Sequence, residues 1–199
     1  MKNTFDVLPL FSSPLVMTII EEDTEELNNY DSGLEKSSKS RRVLEKYPKI
    51  KSILLKKFKE YSDNILKYNN NYTITTSWIT NIEEGKDSTE HFHKNSLYSG
   101  VYYFQDNYPK GCASIEFFSP IVQLLDFWIL PKESDCEIMN SHTWFMYPQP
   151  KLLLFFPSYL RHKINVHKIS KIRKSLAFNI IPVGKYGEGD SSHDTSWII

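Results

Sequence analysis

The chain has 199 residues, 40% of them hydrophobic and 24% charged, a size and balance that suit one soluble domain with a single core. Twenty-four basic residues match twenty-four acidic ones. No global field therefore draws the chain to nucleic acid or to an anionic membrane, and neither is expected as a partner.

In chain order, Pro9, Ser12, Ser13 and Pro14 interrupt the apolar N-terminus, so it does not read as a signal peptide. Residues 14–20 (PLVMTII) are apolar and β-branched and predict a first strand. A short acidic helix is expected at 22–30, broken by Asp31, Ser32 and Gly33. Over 40–68, Ile50, Ile53, Leu54, Phe58, Tyr61 and Ile65 recur with helical spacing. Pro48 suits the first turn of that helix, and Asn69 to Asn71 suit its end. Lys51, Lys56, Lys57 and Lys59 read as its solvated face.

The period then changes. Strands are expected at 73–82, 97–104, 113–119, 124–130, 142–147, 151–156 and 174–181, with turns at 85–88 and 106–111. The last stretch, from Gly187, starts as a flexible tail and ends apolar. The expected class is mainly β with N-terminal helices, an antiparallel sandwich or barrel rather than a βαβ fold. We divide the single domain of residues 1–199 into an N-terminal strand and supporting helices (1–71), a β core (72–183) and a tail (184–199). Cys112 and Cys136 make neither a disulfide framework nor a zinc ribbon. Free thiols in a reducing cytoplasm are the simpler reading. No stretch approaches the ~20 apolar residues of a membrane-spanning helix.

Six histidines occur. His91 and His93 lie two apart, so on a strand they share a face and present two imidazoles to one point, with Phe92 turned into packing. Imidazole suits iron, zinc and copper. His162, after the apolar run KLLLFF and a Pro157 turn, is the candidate third ligand. Arg173 and Ser175 share a strand face, with Ala177 beside them, and an arginine fork pairs with a carboxylate. Together they suit the far carboxylate of a keto diacid. His142, His167 and His193 read as structural, with His167 also a candidate supporting donor near the metal. Trp78, Trp128 and Trp144 read as core.

The ordered elements SWITNI, HFHKNS, SGVYYF, IEFFSP, LLLFFPSYLRH and RKSLAFN, over residues 74–182, resemble the Fe(II)/2-oxoglutarate oxygenase superfamily. They are most similar to a small prolyl-hydroxylase-like branch common in phage and bacterial genomes. The opening LPLFSSPL also resembles that branch. The resemblance implies a double-stranded β-helix (jelly roll), Fe(II) and the co-substrate 2-oxoglutarate. It implies a dioxygenase using O2, and a host-cell cytoplasmic location if the chain is phage-encoded. His91 and His162 match the metal histidines, and Arg173 matches the 2-oxoglutarate binder with Ser175 as its partner. Tyr102 or Tyr103, of which we take Tyr102, would line the co-substrate pocket. The reaction implied is hydroxylation of a C–H bond in a peptide or small molecule, with 2-oxoglutarate converted to succinate and CO2.

One position departs from the superfamily: His93 stands where most members carry Asp or Glu. A neutral set leaves the metal one unit more positive. Glu116 on a neighbouring strand is the alternative third ligand, ahead of Asp106 and of Glu90, which should point away from His91. The competing function is a three-histidine metal-binding jelly roll without 2-oxoglutarate turnover. Arg173 and Ser175 in register after His162 argue against it.

Overall fold

The computed structural model describes residues 10–30, 37–121 and 138–198. The strand expected at 124–130, Trp128, Cys136, the break at 31–33 and the start of LPLFSSPL lie outside them.

Two antiparallel sheets form the body. The larger has the order β1 (Val16–Ile19), β6 (Leu152–Pro157), β3 (Tyr98–Tyr102), β8 (Arg173–Val183) and β2 (Asn71–Ile82). The smaller has the order β5 (Thr143–Met146), β4 (Ile115–Phe118) and β7 (His162–Ile164). Strand neighbours are therefore distant in sequence: the first strand, for example, pairs with β6, Val16 opposite Phe155. This is the jelly-roll arrangement that the sequence pattern implied.

Alternation along the large sheet sorts its side chains into two cores. On one face Tyr98, Tyr102, Phe155, Phe178 and Ile180 pack against helix α1 (Pro48–Tyr61). Pro48 occupies the helix's first turn, as its fixed φ and missing N–H favour. Ile50, Leu54, Phe58 and Tyr61 form the buried stripe. Phe58 is its centre, with ring centroids 4.8 Å from Tyr72, 5.1 Å from Tyr98 and 5.2 Å from Phe155. Truncating such a side chain costs about 3–5 kcal/mol.

The helix does not run on to Asn69. A π-helical turn (Ser62–Leu66) follows it, and Lys67 closes it in the left-handed region with φ 61°. The wider turn rotates the register, so Ile65, expected on the apolar face, is 69% exposed. The lysine face is solvated as its spacing suggests: Lys51, Lys57 and Lys59 pair with Glu45, Glu60 and Asp63.

The opposite face of the large sheet carries Val101, Tyr103, Leu154 and Phe156 toward Ile115 and Phe117 of the small sheet. This second core lies between the sheets, and the candidate site opens from it. The C-terminal stretch differs from the flexible tail expected. β9 (Lys185–Tyr186) pairs with β10 (His193–Asp194), and the Thr195 hydroxyl donates to Pro182 O, folding the segment back on β8. Among the described residues no helix is long and apolar enough to cross a membrane.

Candidate metal and co-substrate site

His91, His93 and His162 come together, with one ring nitrogen from each within 4.8 Å of the others. The ring centroids are 4.4 Å apart for His91 and His162, 5.1 Å for His93 and His162, and 5.3 Å for His91 and His93. The backbone enforces this meeting. The His91 amide donates to His162 O and the His162 amide donates to His91 O, both over 2.9 Å. The His93 amide donates to Ser158 O. His91 and His93 lie in an approach to β3 rather than on a regular strand, and Asn95 at φ 58° turns the chain into that strand. Phe92 is 46% exposed with the Lys94 ammonium 5.7 Å from its ring, not turned into packing as alternation suggested.

Each imidazole is oriented through Nδ1. His91 Nδ1–H donates to Thr89 O and His162 Nδ1–H to Leu160 O, both over 2.9 Å. His93 Nδ1–H is shared between Asn179 Oδ1 at 2.6 Å and Ser99 Oγ at 2.8 Å. All four acceptors are oxygens, so the proton sits on Nδ1 and the Nε2 lone pair is free to ligate. Burial pushes the His162 imidazole down to about 3, against Leu160 O, which acts in the other direction. Burial also lowers His93, with His91 adding to the effect and Asn179 opposing it. Phe156 and Phe117 form the apolar wall beside His162, at centroid distances of 4.8 and 5.9 Å. Three pre-oriented imidazole nitrogen donors fit a divalent transition metal such as iron.

The carboxylate alternatives point elsewhere. Glu116 aligns across the small sheet with Lys163, while its neighbour Phe117 aligns with His162. Glu116 therefore lies on the other face, 3.2 Å from the Lys163 ammonium. Glu90 pairs with Arg161. Asp106 borders a separate cavity of about 250 Å³ with Glu21 and Asp23.

Arg173 begins β8 and is 1% exposed. Arg173, Ser175, Ala177 and Asn179 alternate onto the face that carries Ser99, Val101 and Tyr103, so the arginine and the His93 partner Asn179 share one strand face. Arg173 Nε donates to Ala113 O at 2.9 Å, one terminal nitrogen to Ser175 Oγ at 3.2 Å, and the other to Tyr103 Oη at 3.0 Å. Among the described residues these contacts use three of its five N–H groups and leave one on each terminal nitrogen. All three acceptors are neutral. Tyr103 is the tyrosine beside the arginine, with the guanidinium 5.0 Å from its ring centroid. Tyr102, expected in that place, belongs to the opposite face, where its hydroxyl shares a hydrogen bond with Thr24 Oγ1 at 2.6 Å. A one-residue step along an extended chain reverses the side.

Trp78, expected in the core, stands half-buried beside His93 at a centroid distance of 5.6 Å. Trp144 is 38% exposed and aligns with Phe117 on the face of the small sheet that carries His162. Ser99 and Ser158, whose hydroxyls meet at 2.8 Å, were not singled out in the sequence. They sit inside the motifs SGVYYF and LLLFFPSYLRH, which were the signal available.

No curated protein matches the sequence. Among solved structures, HygX from Streptomyces hygroscopicus with nickel and 2-oxoglutarate bound is similar at TM-score 0.57 and 10% identity. That match covers 85% of this chain and 82% of that one. HygX with iron bound is similar at TM-score 0.52 and 10% identity, covering 79% and 75%. A 2OG-Fe(II) oxygenase family oxidoreductase from Burkholderia pseudomallei matches at TM-score 0.43 and 12% identity, over 61% of this chain and 50% of that one. The chain thus spans about half the length of that protein. At these identities the HygX likeness shows the fold. A family described as "Putative 2OG-Fe(II) oxygenase" matches residues 76–179, just over half of the chain, including the three histidines, Arg173 and Ser175. The chain therefore belongs to the 2OG-Fe(II) oxygenase family, whose cofactors are Fe(II) and 2-oxoglutarate.

Proposed function

We propose that this chain is an Fe(II)- and 2-oxoglutarate-dependent dioxygenase that hydroxylates a C–H bond of a peptide or small molecule. In this reading His91, His93 and His162 hold the metal, and Arg173, Ser175 and Tyr103 hold the far carboxylate of 2-oxoglutarate. The observation that carries it is Arg173, a buried cation whose partners among the described residues are all neutral. Leaving such a charge uncompensated costs several kcal/mol, and a carboxylate in its fork offsets that cost.

The surrounding groups are arranged to receive one. The two remaining N–H groups of Arg173 lie on different terminal nitrogens, as a bidentate carboxylate requires. Burial pushes the Tyr103 phenol up, so it stays protonated, and while it accepts from Arg173 its own O–H remains to donate. The Ser175 hydroxyl accepts from Arg173 in the same way and keeps its proton for the ligand. Small Ala177 follows on the same strand face toward Asn179.

When bound, Fe(II) supplies the oxidation in which O2 and 2-oxoglutarate give succinate, CO2 and the hydroxylated product. The three histidines would hold the metal, and Phe117 and Phe156 line the His162 side with apolar surface that would keep water from it. A neutral three-histidine set also favours a second reading, metal binding without 2-oxoglutarate turnover.

Anaerobic loading with Fe(II) and 2-oxoglutarate separates the two. The oxygenase reading expects a visible metal-to-ligand charge-transfer band, then succinate when O2 is admitted. Metal uptake with neither band nor succinate would leave the second reading in its place.

A further inference from the structure

We infer that His167 is a positioning residue for the 2-oxoglutarate arginine, acting on Arg173 through the Ala113 peptide. The inference rests on the assignment of Arg173 to the far carboxylate of 2-oxoglutarate.

His167 is fully buried and uses both ring nitrogens. Its Nε2–H donates to Lys171 O over 2.7 Å, which places the proton on Nε2. Its Nδ1 then accepts the Ala113 amide N–H at 3.1 Å. The carbonyl of that same residue, Ala113, accepts the Arg173 Nε–H at 2.9 Å. His167 therefore holds both ends of one contact. It fixes the residue that supplies the acceptor, and it fixes Lys171, two residues before Arg173 on the same run of chain.

The main chain of His167 is fastened as well. Its N–H donates to Lys86 O at 2.9 Å and its carbonyl accepts from Gly85 N–H at 2.8 Å. The next residue, Lys168, donates its N–H to Gly111 O. The main chain of His167 is thus fixed to the turn at 85–86, and its imidazole is a bracket between the start of the segment leading to β4 and the connection from β7 to β8.

The function of such a bracket is directional. A guanidinium has one Nε–H and two terminal nitrogens in a single plane. Fixing Nε against Ala113 O sets the plane and aims the terminal nitrogens toward the carboxylate that they would bind. A shift of the Ala113 peptide swings the fork rather than removing its charge. Loss of His167 should therefore weaken a ligand that uses the fork and spare one that does not.

The test uses the full chain loaded with nickel(II), which does not turn over, and two ligands measured by calorimetry. 2-Oxoglutarate uses the metal and the arginine. 2-Oxopentanoate has the same chain length and keto acid end but no far carboxylate. In H167L we expect 2-oxoglutarate to bind about tenfold more weakly, the equivalent of ~1.4 kcal/mol, with 2-oxopentanoate changed by less than about twofold. H167N, whose side-chain carbonyl stands near the Nδ1 position, should recover much of the loss. Combining H167L with R173A should add nothing to R173A alone.

Equal weakening of both ligands in H167L would show a merely structural role and overturn the inference, as would no change in either. Should H167L not fold, H167Q serves in the same comparison, since it can reach Lys171 O but presents no acceptor to Ala113. If R173A itself does not discriminate the two ligands, the assignment of Arg173 fails and the inference falls with it. If R173A discriminates and the His167 variants do not, only the inference falls.

Discussion

His93 donates its Nδ1–H to Asn179 Oδ1 over 2.6 Å, between residues 86 positions apart in sequence. Asn179 is itself held, because its amide donates to Thr76 Oγ1 at 2.9 Å and its oxygen receives Ser99 Oγ at 3.0 Å. His93 is thus the one of the three clustered histidines oriented by side chains rather than by a main-chain carbonyl. Removing an outer partner of a metal histidine costs about 10–100-fold in affinity. N179A is expected to weaken nickel(II) or cobalt(II) binding within that range, read by competition with a chelating dye. N179D, which keeps an acceptor, should stay near the parent. Parental affinity in N179A would remove Asn179 from the site.

The identity of the third ligand is tested at His93 directly. H93A is expected to lose most of its metal affinity, and H93D to retain iron, since a carboxylate there restores the more usual ligand set. Glu116 gives a control: on the opposite strand face and paired with Lys163, it should tolerate Gln with metal binding intact. Loss of metal in E116Q with full binding in H93A would reverse the assignment.

Arg173 should resist conservative replacement. R173K keeps the charge but offers a point donor in place of a planar fork, and it cannot satisfy Ala113 O, Ser175 and Tyr103 together. We expect 2-oxoglutarate affinity to fall by tenfold or more, about 1.4 kcal/mol, with metal affinity unchanged. Y103F should fall less, having lost one neutral hydroxyl of about 0.5–1.5 kcal/mol. Y102F, on the far face, should leave 2-oxoglutarate binding as it was. Equal effects of Y102F and Y103F would contradict the face assignment.

These residues also show what the sequence made legible. Histidines two apart, and an arginine two before a serine, are local patterns: alternation places Arg173 and Ser175 on one strand face, whereas His91 and His93 meet in an approach to β3 and not on a regular strand. Tyr102 ends β3 and Tyr103 follows it, and only the packing of the folded chain shows that Tyr102 faces the helix-side core and Tyr103 the second core. The contacts of Asn179 to His93, and of His167 to Ala113, close over 86 and 54 positions. No periodicity encodes such pairings, so a lone histidine such as His167 shows nothing of its partners in the sequence. Ile65 was misplaced because helical spacing cannot foresee a π-helical turn.

Gly100, in the centre of β3, has a packing reason. A Cβ built there would lie 2.2 Å from the Phe178 ring, which is fully buried between helix and sheet and cannot withdraw cheaply. G100A is expected to destabilise the protein by at least about 1–3 kcal/mol, the usual cost of overpacking. The strain falls on the helix side of the sheet, away from the histidines. Folded G100A should therefore keep parental metal affinity while its urea midpoint drops. An unchanged midpoint would show that the ring moves freely.

The histidines give the metal-free protein a pH dependence whose sign follows from burial. His162 titrates near 6.5 when unfolded and is pushed down to about 3 in the fold, and His93 is lowered too. Between these values the unfolded chain binds more protons than the folded one, so stability rises with pH across the window. The contribution is fully present above about pH 6.5 and is lost progressively as pH falls toward 3. Glu45 and Asp194 are also lowered in the fold, from 4.5 and 3.8, so their contributions are lost only at more acid pH. The interval from about pH 5 to 6.5 therefore isolates the histidines. Urea midpoints of the metal-free chain should fall as pH is lowered through that interval. In H162Q, which keeps a polar group but cannot titrate, much of the fall should disappear. Identical pH slopes in parent and H162Q would show that burial of His162 does not govern the acid limb.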